Sequence, residues 1–432
     1  MKTNKTVIIN ILCAWFCLIG SAVNGQDTWA PYFTHLDVKQ YQGLRFRFNA
    51  LVRAEVVDDS AAARLWARVD KQTGMGFFDN MDKRPIRSKE WKKYSIEGKI
   101  DSGGTSIAFG TLNTYNGKFY YDDLRLDVEI KKGKWENVFT ADFENGKNTL
   151  HQGQTGNKLY KATLISGQKA QGTKSLVIEG ANVPTYGINN KVGKYANVNG
   201  IKLYYEVYGQ GTPLLVLHGN GGSIENAALF YDDLIKKYKV IAVDSRAQGK
   251  STDTEAALTY EQMAADVNGL LEQLKTDSAL IWGQSDGAIL GLILAMNYPQ
   301  KVKKVLAFGA NIQPDSLAIF PWGISHSQKL VKESKDAQEI KLNILMLKHP
   351  NIPYSNLKKI KAPILVVAGD RDVIRPEHTL KLFQHIPKSQ LCILPGATHG
   401  AAWENKELFL TMMDNFFSKP FKMPDTKSWY NQ

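Results

Sequence analysis

Cysteine is scarce in this chain. Three of its 432 residues are Cys, and two of them, Cys13 and Cys17, fall inside an apolar run near the start. Lys2 and Lys5 precede that run, Val7 to Ile19, and the small residues Ser21, Ala22 and Gly25 follow it. This is the pattern of a secretory signal peptide over residues 1–25, cut between Gly25 and Gln26. The run is too short for a retained membrane anchor. Neither Cys13 nor Cys17 follows the small residues that lipid attachment needs. The expected product is exported, periplasmic or extracellular, with Cys392 as its one thiol. That excludes an internal disulfide framework, so its cores must be large enough to stand alone. Cys392 lies in the apolar run Gln390 to Leu394 and reads as packing rather than as a nucleophile.

Long apolar runs are absent from the rest of the chain, which excludes a spanning helix after signal cleavage. Arg-rich blocks with interleaved aromatics are also absent. The formal charge is +12, and removing Lys2 and Lys5 leaves +10 (12 − 2), but the lysines are scattered in pairs such as Lys92-Lys93, Lys236-Lys237 and Lys303-Lys304. A solvated basic surface fits this better than a nucleic-acid partner. No cofactor and no metal site is expected.

At 432 residues the chain exceeds one compact core, and two textures are visible. Residues 26–185 carry short runs that alternate apolar and polar residues between Gly, Asn and Asp turns. Examples are Leu44 to Ala50, Ala63 to Val69, Trp91 to Ile96 and Thr105 to Gly110. These read as half-buried antiparallel strands of a β-sandwich. Pro184, Gly187, Asn189, Asn190 and Gly193 mark a linker over residues 186–194. From 195 to 432 apolar strands alternate with helices, the mark of a parallel sheet covered on both faces.

The first region resembles galactose-binding-like jelly-roll modules attached to secreted hydrolases. The matching stretches are Tyr41 to Arg47, Phe78 to Met81 with Arg84-Pro85-Ile86, Trp91 to Tyr94, and Phe119 to Leu124. In such modules the strands containing Phe-Glu and Gly-x-x-Ser-Leu come early and late around the body. Here Asp142-Phe143-Glu144 and Gly172 to Ile178 both follow it. Residues 136–180 therefore either complete one permuted sandwich or begin a second, and completion leaves fewer open edges. Trp66, Phe77, Phe78 and Tyr115 offer apolar faces for stacking on a sugar ring; aromatics in a sandwich more commonly form its core.

The second region carries the chemistry. The apolar segment Ala279 to Trp282 runs into Gly283-Gln284-Ser285-Asp286-Gly287, and a helical segment follows. A strand, a sharp turn and a helix with Ser at the apex form a nucleophile elbow. Side chains on the flanking residues would collide with neighbouring backbone, which is why both are Gly. Leu214 to Leu217 leads into His218-Gly219-Asn220-Gly221-Gly222, a turn whose uncovered N–H groups suit an oxyanion hole. Val240 to Val243 leads into Asp244 to Ser251. Ile364 to Ala368 leads into Gly369-Asp370-Arg371-Asp372 and Pro376, and Gln390 to Leu394 leads into Pro395 to Gly400, which includes His399. Nucleophile, acid and base in that order, each just after a strand, belong to one fold class.

On these motifs residues 195–419 closely resemble the α/β-hydrolase superfamily, in the branch with a His-Gly oxyanion loop and an Asp-x-Arg-x-x-Gly-x-Ser loop. Ala247 stands where that branch usually has Gly. The resemblance implies Ser285 as nucleophile, His399 as base and Asp372 as acid, because Asp372 lies three residues after Gly369 and four before Pro376. Asp370 is then a turn-former. Oxyanion donors are the backbone N–H groups of Asn220 and Asp286, with Gly219 or Gly221 as substitutes, and His218 organises the loop. His326, His349, His378 and His385 read as surface or capping residues. Residues 311–357 read as a short cap. Serine at the apex, where epoxide- and halide-processing relatives carry Asp, favours acyl transfer to water. The expected activity is that of a carboxylic-ester hydrolase acting on a small-molecule or polysaccharide-linked ester. The alternatives are a peptidase or carbon–carbon bond hydrolase with the same residues, or a carbohydrate-binding protein with an accessory hydrolase.

Overall fold

The structure is a computed structural model that describes residues 28–152 and 157–430. The expected signal segment, residues 1–25, lies outside the described residues. The chain divides into two compact units, one ending at Thr185 and the other beginning at Tyr186.

The first unit is built of strands β1 (Trp29–Asp37), β2 (Arg45–Val56), β3 (Ala62–Lys71), β4 (Met75–Asp79), β5 (Lys92–Lys99), β6 (Gly104–Thr114), β7 (Gly117–Lys131), β8 (Lys134–Ala141), β9 (Tyr160–Ser166) and β10 (Lys174–Gly180). They form two sheets, β1-β6-β3-β4 and β5-β2-β7-β10-β9, with β8 also paired to β7. The pairings are antiparallel, and the buried residues of both sheets join in one core that includes Phe46, Phe48, Phe109, Phe119 and Tyr121. Strand β10 pairs with the first half of β7 and β8 with the second, on the same side. Residues 136–180 thus complete this unit and do not begin another.

The aromatics considered for sugar stacking are mostly committed to packing. Trp66 is 9% exposed and meets Phe33 edge-on at 5.3 Å, and Phe77 meets Phe46 edge-on at 5.1 Å. Tyr115 packs against the core, whereas Phe78 is 50% exposed.

The second unit continues with β11 (Lys194–Val198), β12 (Ile201–Tyr208), β13 (Thr212–Leu217), α1 (Ala228–Leu234), β14 (Tyr238–Val243), α2 (Tyr260–Gln273), β15 (Ala279–Gln284), α3 (Asp286–Asn297), β16 (Val302–Phe308), α4 (Pro321–Glu333), α5 (Ala337–Lys348), β17 (Ile364–Gly369), α6 (Pro376–His385), β18 (Ser389–Leu394), α7 (Ala401–Glu404) and α8 (Lys406–Ser418). One sheet runs in the order β11-β12-β14-β13-β15-β16-β17-β18. The β11–β12 and β12–β14 pairs are antiparallel and the rest are parallel. Central strands such as β13 and β17 are apolar and buried on both faces, as helix-covered parallel strands must be. Two cores flank the sheet, one including Leu270, Ile289 and Ile293, the other Phe230, Trp282 and Phe409.

Local chemistry sets the helix ends. Thr259 caps α2 by accepting from Gln262 N at 3.1 Å. Asp336 accepts from Gln338 N at 2.8 Å and Glu339 N at 3.2 Å at the start of α5. The loop after β14 is tied to α2 by Arg246, whose guanidinium donates to both oxygens of Asp266 at 2.7 and 2.8 Å, both side chains being buried. Helices α4 and α5 occupy the expected cap region. Among the described residues no helix is long and apolar enough to cross a membrane.

Candidate active site

Strands β13 to β18 are parallel and closely registered: Leu217 pairs with Gly283, Gln284 with Phe308, and Gly369 with Leu394. Every loop singled out in the sequence therefore leaves the same edge of the sheet. Crevices at the carboxyl ends of such strands are where open α/β sheets bind ligands.

Ser285 stands at the tip of the turn between β15 and α3 with φ 52° and ψ −115°. A residue with a side chain at positive φ is strained by about 1–3 kcal/mol, and the surroundings must hold it there. They do so through backbone: Ser285 N donates to Phe308 O at 2.8 Å. A Cβ on Gly283 would lie 2.2 Å from Gly287 O, and one on Gly287 would lie 2.2 Å from Leu217 O. Both contacts are with main chain that has no room to move, so both positions require Gly.

His399 Nδ1 donates to Asp372 Oδ1 at 2.6 Å. Asp372 is buried, and the same oxygen accepts from Ile374 N at 2.9 Å. The ring of Phe308, whose carbonyl holds Ser285, stacks on the His399 imidazole with 6.1 Å between ring centres. Burial disfavours imidazolium, but the charge and hydrogen bond of Asp372, together with the charge of Asp286, outweigh it and leave the His399 pKa raised above its usual value. Asp370 takes the turn-forming role, accepting from Ala397 N at 3.2 Å.

The loop after β13 is held from several sides. His218 Nδ1 lies 2.7 Å from Gly219 O, and His218 Nε2 accepts from Ser245 N at 2.9 Å. An Nε2 that accepts requires the neutral tautomer with its proton on Nδ1, so His218 donates to Gly219. Burial, only partly offset by that hydrogen bond, pushes its pKa down to about 4. His218 is a neutral structural clamp. Gly221 is not available as an oxyanion donor, because its N–H donates to Gln248 Oε1 at 2.6 Å. Asp286 opens α3, where an N–H has no carbonyl one turn back to bond. The Asn220 N–H has no backbone acceptor among the described residues.

Several contributors escaped sequence reading. Gly309, just after β16, has φ 64°, and a Cβ there would lie 2.6 Å from His399 Cε1. A Gly ending an apolar strand beside the elbow strand was its available signal. Tyr260 and Gln248 gave none. The Asp286 carboxylate is also engaged: Tyr260 Oη donates to Oδ1 at 2.8 Å and Asn220 Nδ2 to Oδ2 at 2.9 Å. Burial pushes its pKa up to about 6, against the opposing pull of those two hydrogen bonds and the His399 charge. His378 corrects the expectation of a surface histidine. It is buried, takes Ile312 N on Nε2 at 3.1 Å and lies 3.0 Å from Tyr354 Oη through Nδ1. Burial pushes its pKa down to about 4. Cys392 is half-buried in β18, and burial raises its thiol pKa. No group of three or more His, Cys, Asp or Glu among the described residues is arranged to hold a metal ion.

Residues 212–329, from β13 into α4, match the family model described as alpha/beta hydrolase fold. The second unit has the α/β-hydrolase fold. Curated relatives cover about half of the chain. Serine hydrolase BPHL of Mus musculus is 26% identical over 260 residues, spanning 54% of this chain and 89% of that protein. The Homo sapiens BPHL is 28% identical over 244 residues, covering 51% and 84%. A 2-hydroxy-6-oxo-6-phenylhexa-2,4-dienoate hydrolase of Burkholderia cepacia is 26% identical over 268 residues, covering 51% and 93%.

Proposed function

We propose that this hydrolase cleaves carboxylic esters through an acyl-enzyme on Ser285. The observation that carries the reading is the 2.6 Å bond from His399 Nδ1 to Asp372, with Phe308 accepting from Ser285 N through its carbonyl and stacking on the same imidazole through its ring. With Nδ1 donating to Asp372, the free Nε2 is the basic nitrogen. It takes the Ser285 proton as Oγ attacks the ester carbonyl, and the imidazolium so formed is stabilised by the carboxylate. The N–H groups of Asn220 and Asp286 receive the developing oxyanion. Collapse breaks the bond to the alcohol, which leaves with the proton from His399. Water then repeats the sequence on the acyl-enzyme and releases the acid.

Mature protein should hydrolyse short p-nitrophenyl esters and be labelled at Ser285 by a fluorophosphonate, and Ser285→Ala should lose both. Wild type that does neither refutes the reading.

Similarity to the 2-hydroxy-6-oxo-6-phenylhexa-2,4-dienoate hydrolase of Burkholderia cepacia supports a second reading, carbon–carbon bond hydrolysis with the same residues. Turnover of a vinylogous diketone exceeding that of esters would select it, and turnover of an aminoacyl amide would select a peptidase. The N-terminal unit is proposed as an accessory module, and retention of residues 26–185 on a polysaccharide column would give it a sugar-binding role. Export is proposed from Lys2, Lys5 and the Val7 to Ile19 run; a mature N-terminus at Gln26 in exported protein is the expected finding.

A further inference from the structure

The Asp286 carboxylate is an ionisable group inside the site that takes no part in the steps above. It is 3% exposed, and each oxygen has one side-chain donor, Tyr260 Oη on Oδ1 and Asn220 Nδ2 on Oδ2. These three residues come from separate elements: the start of α2, the loop after β13 and the first turn of α3. Burying a carboxylate costs several kcal/mol unless its oxygens are well bonded, so its presence calls for a reason. The loop it reaches supplies one. Between His218 and Ser223, Asn220 is the residue with a side chain, flanked by Gly219, Gly221 and Gly222. Glycines let the backbone approach a substrate, but they also leave it many conformations. An oxyanion hole works only if its donors are aimed before the charge develops. Gly219 O is held by His218 and Gly221 N by Gln248. The residue between them, whose main-chain N–H is the candidate donor, is held through its side chain. The second N–H of the Asn220 amide reaches Leu342 O of the cap helix α5 at 3.4 Å.

We propose that Tyr260, Asp286 and Asn220 form a positioning relay: the Tyr260 hydroxyl orients the Asp286 carboxylate, which grips the Asn220 side chain and so aims the Asn220 main-chain N–H at the oxyanion. The proposal rests on the serine-hydrolase reading. Tyr260 and the Asp286 carboxylate are positioning groups, with no contact to the reacting atoms.

The test uses the full mature chain and a short p-nitrophenyl ester, with kcat expressed per fluorophosphonate-titrated site so that only folded, competent molecules are counted. Asn220→Ala keeps the main-chain donor and removes its grip. It should lower kcat by about 10-fold or more with KM within about twofold, the split expected when an interaction belongs to the transition state. Tyr260→Phe should lower kcat in the same way by about 3–10-fold. Because both act through one carboxylate, the double variant should be no slower than Asn220→Ala alone. Additive losses in the double variant overturn the relay. So do kcat values per titrated site within twofold of wild type, even if both variants melt earlier, since that outcome assigns the network to stability alone. A wild type that neither turns over ester nor is labelled overturns the hydrolase reading and the relay with it.

Discussion

His399 donates through Nδ1 to Asp372, and the same imidazole covers the bare α-carbon face of Gly309, where a Cβ would lie 2.6 Å from Cε1 and 2.9 Å from Nδ1. One hydrogen bond sets the tautomer and one missing methyl sets the position of the ring. The two requirements can be tested separately.

Asp372→Asn tests the tautomer. An amide at this position can offer its NH2 to the imidazole and favour the wrong ring nitrogen, so kcat should fall by roughly 10³–10⁴. The acid limb of the pH–rate profile carries the sign. The His399 pKa is raised, mainly because Asp372 outweighs burial. Activity needs neutral imidazole, so wild-type kcat/KM should fall as pH drops through a midpoint above 6.5. In Asp372→Asn the residual activity should show that midpoint moved to lower pH.

Gly309→Ala tests the position. The added methyl meets His399, and its φ of 64° is costly for Ala by about 1–2 kcal/mol. Displacing the base by a fraction of an ångström should reduce kcat by about 10². The melting temperature should fall by only a few degrees. Full activity in a variant that melts lower would place Gly309 outside the site's geometry.

Ala247 sits at φ 63° in the loop after β14, where the resembling branch has Gly. Relief of left-handed strain, about 1–2 kcal/mol, exceeds the about 0.4–1 kcal/mol of unfolded-state entropy that Gly adds. Ala247 is also buried, and deleting its methyl costs a further ~0.8 kcal/mol, so Ala247→Gly should leave stability within about 0.5 kcal/mol of wild type, read from denaturant melts with m unchanged.

His378 makes stability depend on pH. Its folded pKa is pushed down to about 4 from an ordinary 6.5, so its stabilising contribution is complete above 6.5 and is lost as pH falls toward 4. The shift corresponds to on the order of 3 kcal/mol. Asp244 and Asp286, each pushed up to about 6 chiefly by burial, act with the opposite sign, favouring the fold as pH falls from 6 toward 4. His378→Gln removes one side of that balance. Its destabilisation relative to wild type should shrink by about 2–3 kcal/mol between pH 7 and pH 4.5 in urea titrations. A constant difference would show that His378 does not titrate across folding.

The residues legible in the sequence are those whose requirements are local. Gly283 and Gly287 are needed because a strand turns sharply into a helix, and the reason lies within a few residues of Ser285. The alternation of apolar strands and helices, and the order of the Ser285, Asp372 and His399 loops, are likewise written along one dimension. The relations among distant loops are not. Placing β15 between β13 and β16 brings Phe308 O to Ser285 N and the Phe308 ring to His399. The start of α2 reaches Asp286 from 26 positions away, and His378 is drawn into the core against Ile312 and Tyr354. Sequence alone determined which residue types the chemistry has and where the backbone must be glycine, because turn sterics and strand patterning act between near neighbours. Only the tertiary structure decided that the Asp286 carboxylate is buried and bonded to Tyr260 and Asn220, that Gly221 has no free N–H and that His378 is buried. Hydrogen-bond partners and dielectric surroundings come from whichever strands the sheet places side by side.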